Sequence, residues 1–541
     1  MNDAQETTEE ASGGAARALR RNRLVRAVGT ISFFTLLSRI LGFVRDIVIA
    51  RGFGAGMGAD AFFVALKLPN FLRRLFAEGA FSAAFVPVFS DYLARGDENE
   101  TRRVAQAVFT TLLLVLAGVV LIGQVAMPLL ITVAAPGFYD DPEKFELTVL
   151  LTRITFPYIL FISLCALAGG ILNSHHKYAV PAATPLLLNA SLIGCATLLA
   201  PRLEQPAVGL AIGVFLGGVL QLALQWPALK RIGLPFRLRF DFKHPAIKRT
   251  LLLMGPAILG VSVAQINLLF DVLLASLLPD GSISYLYYAD RLVEFPLGLI
   301  GIAMGTAILP ALSAHAAQND IDGLRQDLSF ALRLIVVINI PAAVGLIVLR
   351  EPILALLFER GAFTPETTAL TAQALLAYAT GLVAFSAVKV AAPAFYARKN
   401  TKTPVRIAMY CMLANMVFNV ILMFPFAHAG LALATALASY LNIALLLRAL
   451  KKDIGFSLNA EIWRAAWRAG LASIGMAAAL AWGVERFWRA GELSGAERAI
   501  VLLPLIIGGI LVFALLAKIL RLQEIEQLWG LLRRKRSRGA S

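Results

Sequence analysis

Residues 104–134, VAQAVFTTLLLVLAGVVLIGQVAMPLLITVA, contain no charged side chain. A bilayer core of about 30 Å takes about 20 mostly apolar residues to cross as a helix, and this run is longer than that. A backbone in lipid finds no water to bond, so a run of this kind must satisfy itself as a helix. Similar runs recur on both sides of it, at 26–51, 58–90, 147–172, 178–200, 206–228, 250–278, 283–314, 327–349, 366–396, 404–426, 428–448, 463–484 and 498–519. The loops between them are too short to house a catalytic domain. The 541-residue chain is 58% hydrophobic and 16% charged, where soluble chains carry about 25% charged residues. The expected fold is an all-α integral membrane protein of about 14 transmembrane helices.

A formal net charge of +16 would suggest nucleic acid on a soluble chain. Its placement follows the positive-inside rule instead, and no nucleic-acid partner is expected. Arg17, Arg20, Arg21, Arg23 and Arg26 precede or open the first span. Lys230, Arg231, Arg237, Arg239, Lys243, Lys248 and Arg249 stand between the sixth and seventh, and Arg398, Lys399, Lys402 and Arg406 between the tenth and eleventh. Arg533, Arg534, Lys535, Arg536 and Arg538 close the chain, whereas the loop after the third span holds Asp140, Asp141, Glu143 and Glu146. Both termini are therefore expected in the cytoplasm. Cys165, Cys195 and Cys411 lie in apolar runs without metal-ligand spacing, and the five histidines form no zinc pattern.

Pro87-x-x-Ser90 is repeated by Pro310-x-x-Ser313, Arg102 by Arg325 and Pro181 by Pro404, each 223 residues further on. A constant offset over separated anchors indicates duplication of a six-span unit, and an even number of spans gives a parallel repeat. The organisation read from this is a disordered basic arm at 1–24, an N-lobe of helices 1–6 at 25–228 and a basic cytoplasmic linker at 229–249. A C-lobe of helices 7–12 follows at 250–450, then helices 13–14 at 451–520 and a basic tail at 521–541. The two lobes are expected to surround a central cavity.

A charge near the bilayer centre costs about 2.5–3.5 kcal/mol on insertion scales, so such residues face a cavity or a partner. They concentrate in three spans. The first carries Arg39, Arg45 and Asp46. The second carries Asp60, Lys67, Asn70, Arg73, Arg74 and Glu78, interrupted by Pro69. The eighth carries Asp290, Arg291 and Glu294, followed by Pro296. Structural ion pairing explains part of this set. The excess of arginine, whose planar fork suits phosphate oxygens, points to a water-filled cationic cavity for an anionic, phosphorylated substrate. Arg153, Arg333 and Lys389 are more isolated and read as packing or snorkelling residues. Asp271, Asn415, Asn419 and Thr435 leave two readings open: oxygen ligands for Na⁺, or a hydrogen-bonded polar core. Gly209-x-x-x-Gly213-x-x-x-Gly217 is a small-residue packing face.

Four stretches, SRILGFVRD (Ser38–Asp46), ADAFFVALKLPNFLRRLFAEGAFSAAFVPVF (Ala59–Phe89), GPAILGVSVAQI (Gly255–Ile266) and YYADRLVEFPLG (Tyr287–Gly298), resemble the bacterial lipid II flippase family, MurJ/MviN, of the multidrug/oligosaccharidyl-lipid/polysaccharide exporter superfamily. The resemblance runs from about residue 25 to 520. It implies a transporter, not an enzyme, that carries undecaprenyl-diphosphate-linked peptidoglycan precursor outward across a bacterial inner membrane by alternating access, for cell wall synthesis. It implies that helices 13–14 form a groove for the polyprenyl tail. It implies that Arg45, Arg73 and Arg291 engage the diphosphate. Arg39, Asp60, Asn70, Arg74 and Glu294 match functionally sensitive positions, with Ser38 in the same motif; Lys67 joins the substrate-binding set from its place on the second span. Some members bind Na⁺ at positions matching Asp271, Asn415, Asn419 and Thr435, and this chain has Asn419 where that pattern has an acid. No cofactor is expected beyond Na⁺ coupling or use of the membrane potential. The expected partners are lipid II, membrane lipids and cell-wall synthesis proteins. Competing readings are a flippase for another polyprenyl-linked oligosaccharide, a drug exporter, a membrane glycosyltransferase or phosphatase, and a passive scaffold.

Overall fold

The computed structural model describes residues 29–74, 80–489 and 493–524. The arm expected at 1–24, Glu78 and most of the basic tail lie outside the described residues. Within them the secondary structure is helical throughout, with no strand. Nine helical stretches among the described residues are long and apolar enough to cross a membrane. One of these, Lys402–Ile454, carries two expected spans, 404–426 and 428–448. Its direction breaks at Ala427, whose backbone (φ 47°, ψ −129°) is not helical. The remaining expected spans also fall on helix: 29–53, Met57–Arg73 with Ala80–Ala94, Pro245–Ser276, and Ala460–Phe487.

The chain divides into two compact units. One comprises Met1–Gly52, Ala61–Val133 and Tyr139–Gln265; the other comprises Phe53–Asp60, Ala134–Phe138 and Ile266–Ser541. The division falls inside the helix Pro245–Ser276, not in the basic linker. The cause is packing: Ala246 and Ile247 are buried in the core of the first unit and Met254 rests against it.

The duplication read from a few anchors runs through the cores of both units. Phe85, Phe89, Ala105, Val108, Leu167 and Leu172 are buried in the first. The residues 223 positions on, Ile308, Leu312, Leu328, Ala331, Val390 and Phe395, are buried in the core of the second. Helix boundaries repeat at the same offset: both ends of Ala80–Ala94 with those of Ala303–Ala317, and the start of Pro142–Thr155 with that of Pro365–Thr380. Proline opens both of the latter because its missing N–H is not needed there, and Asp141 and Thr364 cap them from the preceding position. Left-handed residues recur too, Gly96 with Asn319 and His176 with Lys399.

The last two helices, Ala460–Phe487 and Gly495–Ile519, pack on Ile321–Val348 inside the second unit through Val337, Ala465, Ala469 and Ala517. Two charges pin them. Arg333 pairs with Glu461 at 3.0 Å and Glu524 at 3.5 Å. Arg498 pairs with Glu359 at 2.9 Å and donates to the Ala355 carbonyl at 3.1 Å. In the first unit Gly209, Gly213 and Gly217 lie against Ala200, Leu192 and Leu188, so the small-residue face is a helix contact.

Candidate functional site

In the first unit, Arg45 makes three hydrogen bonds to two partners. Its Nε and NH2 donate to Asp46 Oδ1 at 3.0 and 2.7 Å, and its NH1 donates to Asn189 Oδ1 at 3.0 Å. Asp46 is fully buried and Arg45 is 13% exposed. Asn189 in turn donates to the Ser38 carbonyl at 3.2 Å. A guanidinium at this depth therefore keeps one orientation, with a carboxylate compensating part of its desolvation. Asn189 escaped the sequence reading; its only signal there is a lone amide in an apolar span.

The helix Met57–Arg73 contains Pro69, which cannot donate to the carbonyl of Ala65. The hydroxyl of Thr155 fills that vacancy, donating to Ala65 O at 2.9 Å. One residue on, the Asn70 amide donates to the Leu66 carbonyl at 2.9 Å and its oxygen accepts from Arg73 Nε at 3.0 Å. Asn70 thus orients Arg73. Lys67 is half-buried on the same helix, and Arg74 directly follows it. Arg39 and Arg74 are exposed and make no ion pair among the described residues.

In the second unit the helix Ser282–Pro296 carries Asp290, Arg291 and Glu294. Arg291 NH1 donates to Glu294 Oε2 at 3.0 Å, the two side chains being 30% and 51% exposed. Asp290, Glu294 and Phe295 are exposed too, while Leu292 and Val293 are buried, so the charged face turns away from the unit's own core. After Pro296 the helix widens into a π-helix, Leu297–Ile302. Such widenings are frequent at functional sites.

Asp60 belongs to the second unit and lies in the first turn of the helix Met57–Arg73, beside the N-terminus of Ser282–Pro296. It is 1% exposed. Its Oδ2 accepts from the Gly281 N–H at 2.8 Å, and its Oδ1 accepts from the Ser284 N–H at 2.9 Å and hydroxyl at 2.6 Å. Gly281, at the N-cap with φ 89°, has no side chain to do this. Asp60 therefore caps the helix bearing Arg291, and its charge faces the positive end of the helix dipole.

Asp271, Asn415, Asn419 and Thr435 do come together in the second unit. The Asn419 Nδ2 donates to Asp271 Oδ1 at 2.7 Å and to Asn415 Oδ1 at 2.6 Å. Asn415 Nδ2 approaches Thr435 Oγ1 at 3.4 Å, and Asn267 Nδ2 approaches Asp271 Oδ2 at 3.4 Å. A bound Na⁺ needs oxygens converging on one point. Here an amide nitrogen with its two protons stands between the carboxylate and the second amide, so this arrangement does not fit the ion. Of the isolated charges, Arg153 exchanges hydrogen bonds with Gln124 and its carbonyl, and Lys389 is exposed.

Residues 49–496 match the family model described as "Lipid II flippase MurJ". A curated relative from Vibrio cholerae serotype O1, named "Probable lipid II flippase MurJ", is 46% identical over 494 residues, covering 90% of this chain and 94% of its own. The Burkholderia cenocepacia protein named "Lipid II flippase MurJ" is 40% identical over 436 residues, covering 79% and 84%. Among solved structures, a lipid II flippase MurJ in an inward closed conformation aligns with a TM-score of 0.77 at 29% identity, covering 92% of this chain and 99% of that one. An inward-facing multidrug resistance MATE transporter shares the fold alone, with a TM-score of 0.63 at 15% identity. The chain is a multi-pass membrane transporter, not an enzyme, and belongs to the lipid II flippase MurJ family.

Proposed function

We propose that the arginines of both units act on the diphosphate of lipid II during its passage from the cytoplasmic to the periplasmic leaflet of a bacterial inner membrane, with both termini in the cytoplasm. The observation that carries this is the fixing of Arg45 by buried Asp46 and Asn189. A guanidinium preoriented at membrane depth presents its fork to phosphate oxygens without a fresh ordering cost. Arg73, oriented by Asn70, and Arg291, beside Glu294, are the other two principal contacts. Arg39, Lys67 and Arg74 add positive potential, and Ser38 anchors Asn189 through its carbonyl. Asp60 acts by capping the helix that holds Arg291 in place.

The cycle is alternating access: no bond is made or broken, the polyprenyl chain stays in the bilayer along helices 13–14, and only the head group crosses. Each elementary charge crossing the field is worth roughly 2.3 kcal/mol per 100 mV. A diphosphate leaving an inside-negative cell moves with that field, and the emptied cationic site is drawn back by it. Membrane potential is thus the driving force.

The test is outward exposure of lipid II in cells depleted of their own flippase and expressing this chain, or its Arg291→Ala variant. Arg291 sits in a surface-type pair, so its removal should shift stability by about 0.5 kcal/mol or less while abolishing exposure. Full exposure by the variant at equal protein level refutes the role of Arg291. Failure of the parent chain, correctly inserted, moves another polyprenyl-linked oligosaccharide to the front.

A further inference from the structure

We propose that the Asn419 side-chain amide occupies the place of a cation in the second unit, so that this cluster works without Na⁺. The carboxylate of Asp271 and the amide oxygen of Asn415 both point at one spot, 2.7 and 2.6 Å from the Asn419 nitrogen. Two acceptors that converge repel each other unless a positive or proton-bearing group stands between them. The two N–H bonds of Asn419 match that need, one for each acceptor. Asn415 and Asn419 are buried and share one face of the helix Lys402–Ile454.

The reverse orientation of the amide is readily judged. It would turn Asn419 Oδ1 toward two further oxygens, which is repulsive without an ion. In the orientation found, Oδ1 is buried and has no hydrogen-bond partner. Leaving one acceptor unmet costs about 1–3 kcal/mol. That cost is accepted because the alternative sets three acceptors against one another. The carboxylate of Asp271 and the amide oxygen of Asn415 thus share one internal donor. Changing a single atom pair, from the amide of Asn419 to a carboxylate, makes the set all oxygen around the spot and doubles its charge. The inference concerns this cluster alone and holds whichever polyprenyl-linked cargo the chain carries.

The experiment uses the purified full-length chain in detergent at mildly alkaline pH, with radioactive sodium binding and thermal melting in NaCl against choline chloride at equal ionic strength. The parent chain is expected to retain no sodium above the detergent blank and to melt equally in both salts. Asn419→Asp is expected to gain saturable sodium binding and a sodium-dependent rise in melting temperature of a few degrees. Saturable sodium binding by the parent chain that Asn419→Ala abolishes makes the amide oxygen a ligand and overturns the proposal. A folded Asn419→Asp variant that retains no sodium overturns it as well, since the amide is then not what excludes the ion. If Asn419→Asp does not fold, the parent chain's own sodium response still decides.

Discussion

Replacing Asp60 by alanine separates a structural role from a cargo-binding one. The carboxylate is 1% exposed and takes three donors, at 2.8, 2.9 and 2.6 Å. On truncation the Ser284 hydroxyl can rotate to another acceptor, but the Gly281 and Ser284 N–H groups cannot. Two unmet buried donors cost about 2–6 kcal/mol, and loss of the charge at the helix N-terminus costs about 0.3–2 kcal/mol more. Relief from burying a carboxylate returns part of this, which leaves about 2–4 kcal/mol of net destabilisation. Asp60→Asn keeps one acceptor but turns an amide N–H toward a donor, so it should lie between the two. Gly281→Ala should reproduce the defect by another route, because φ 89° strains an alanine and its Cβ would lie 2.8 Å from the Ala55 carbonyl oxygen. The assay is thermal melting of the purified chain together with the amount inserted in cells, and lipid II exposure is scored per folded molecule. Melting should fall in the order parent, Asp60→Asn, Asp60→Ala, with exposure per folded molecule little changed. An Asp60→Ala protein that melts like the parent yet transports nothing refutes the capping argument and puts the carboxylate on the cargo.

Arg498→Ala should strand Glu359, 12% exposed and otherwise held by the Thr368 hydroxyl. That is expected to cost about 3–5 kcal/mol and to open the Gly495–Ile519 helix to limited proteolysis, while Arg498→Met with Glu359→Gln should recover most of the loss. Asp320 caps the helix Ile321–Val348; the Gly323 N–H, and after it His315, hold its carboxyl below the usual carboxylate range. A depressed carboxylate contributes stability that is full above its ordinary value and is lost as pH falls through the lower, folded one. Hydrogen exchange at residues 321–324 should therefore stay protected at neutral pH and rise only below about pH 4. In Asp320→Asn that dependence should flatten.

The membrane class was legible because the bilayer imposes one rule on every span, and 104–134 alone satisfies it. The duplication was legible from prolines and arginines because those types punctuate helices whatever surrounds them. The site was legible only in its residue types. Arg45 and Asp46 are neighbours in sequence, yet the partner that fixes the guanidinium, Asn189, is 144 residues away on the mostly apolar helix Ala179–Gly194. Asp60 reads as a charge in a span and turns out to cap another helix from outside, because Gly281 left that position without a side chain. The atom orientation at Asn419 depends on which acceptors converge there, and spacing along a helix carries no such information.

The repeat also says where function departs from architecture. Core positions such as Phe85 and Ile308, or Leu172 and Phe395, are apolar in both copies. At the same offset Arg45 corresponds to Leu268, Asp46 to Leu269, Lys67 to Asp290 and Arg73 to Pro296. In the opposite direction Asp271 corresponds to Val48, Arg291 to Leu68 and Asn419 to Ala196. Apolar packing must be kept in each copy, since each has to close its own core and a lost buried side chain costs about 2–5 kcal/mol. Charged residues at membrane depth carry the opposite pressure, because each costs free energy wherever it lacks a purpose. Duplication therefore preserves the first kind and removes the second from whichever copy does not use it. The asymmetry divides the labour: the first unit keeps the buried Arg45 pair and the Asn70–Arg73 contact, and the second keeps Arg291 and the single carboxylate of the Asn419 cluster. A transporter built this way needs no symmetry in its cargo, and a diphosphate with a lipid on one side and a sugar on the other has none.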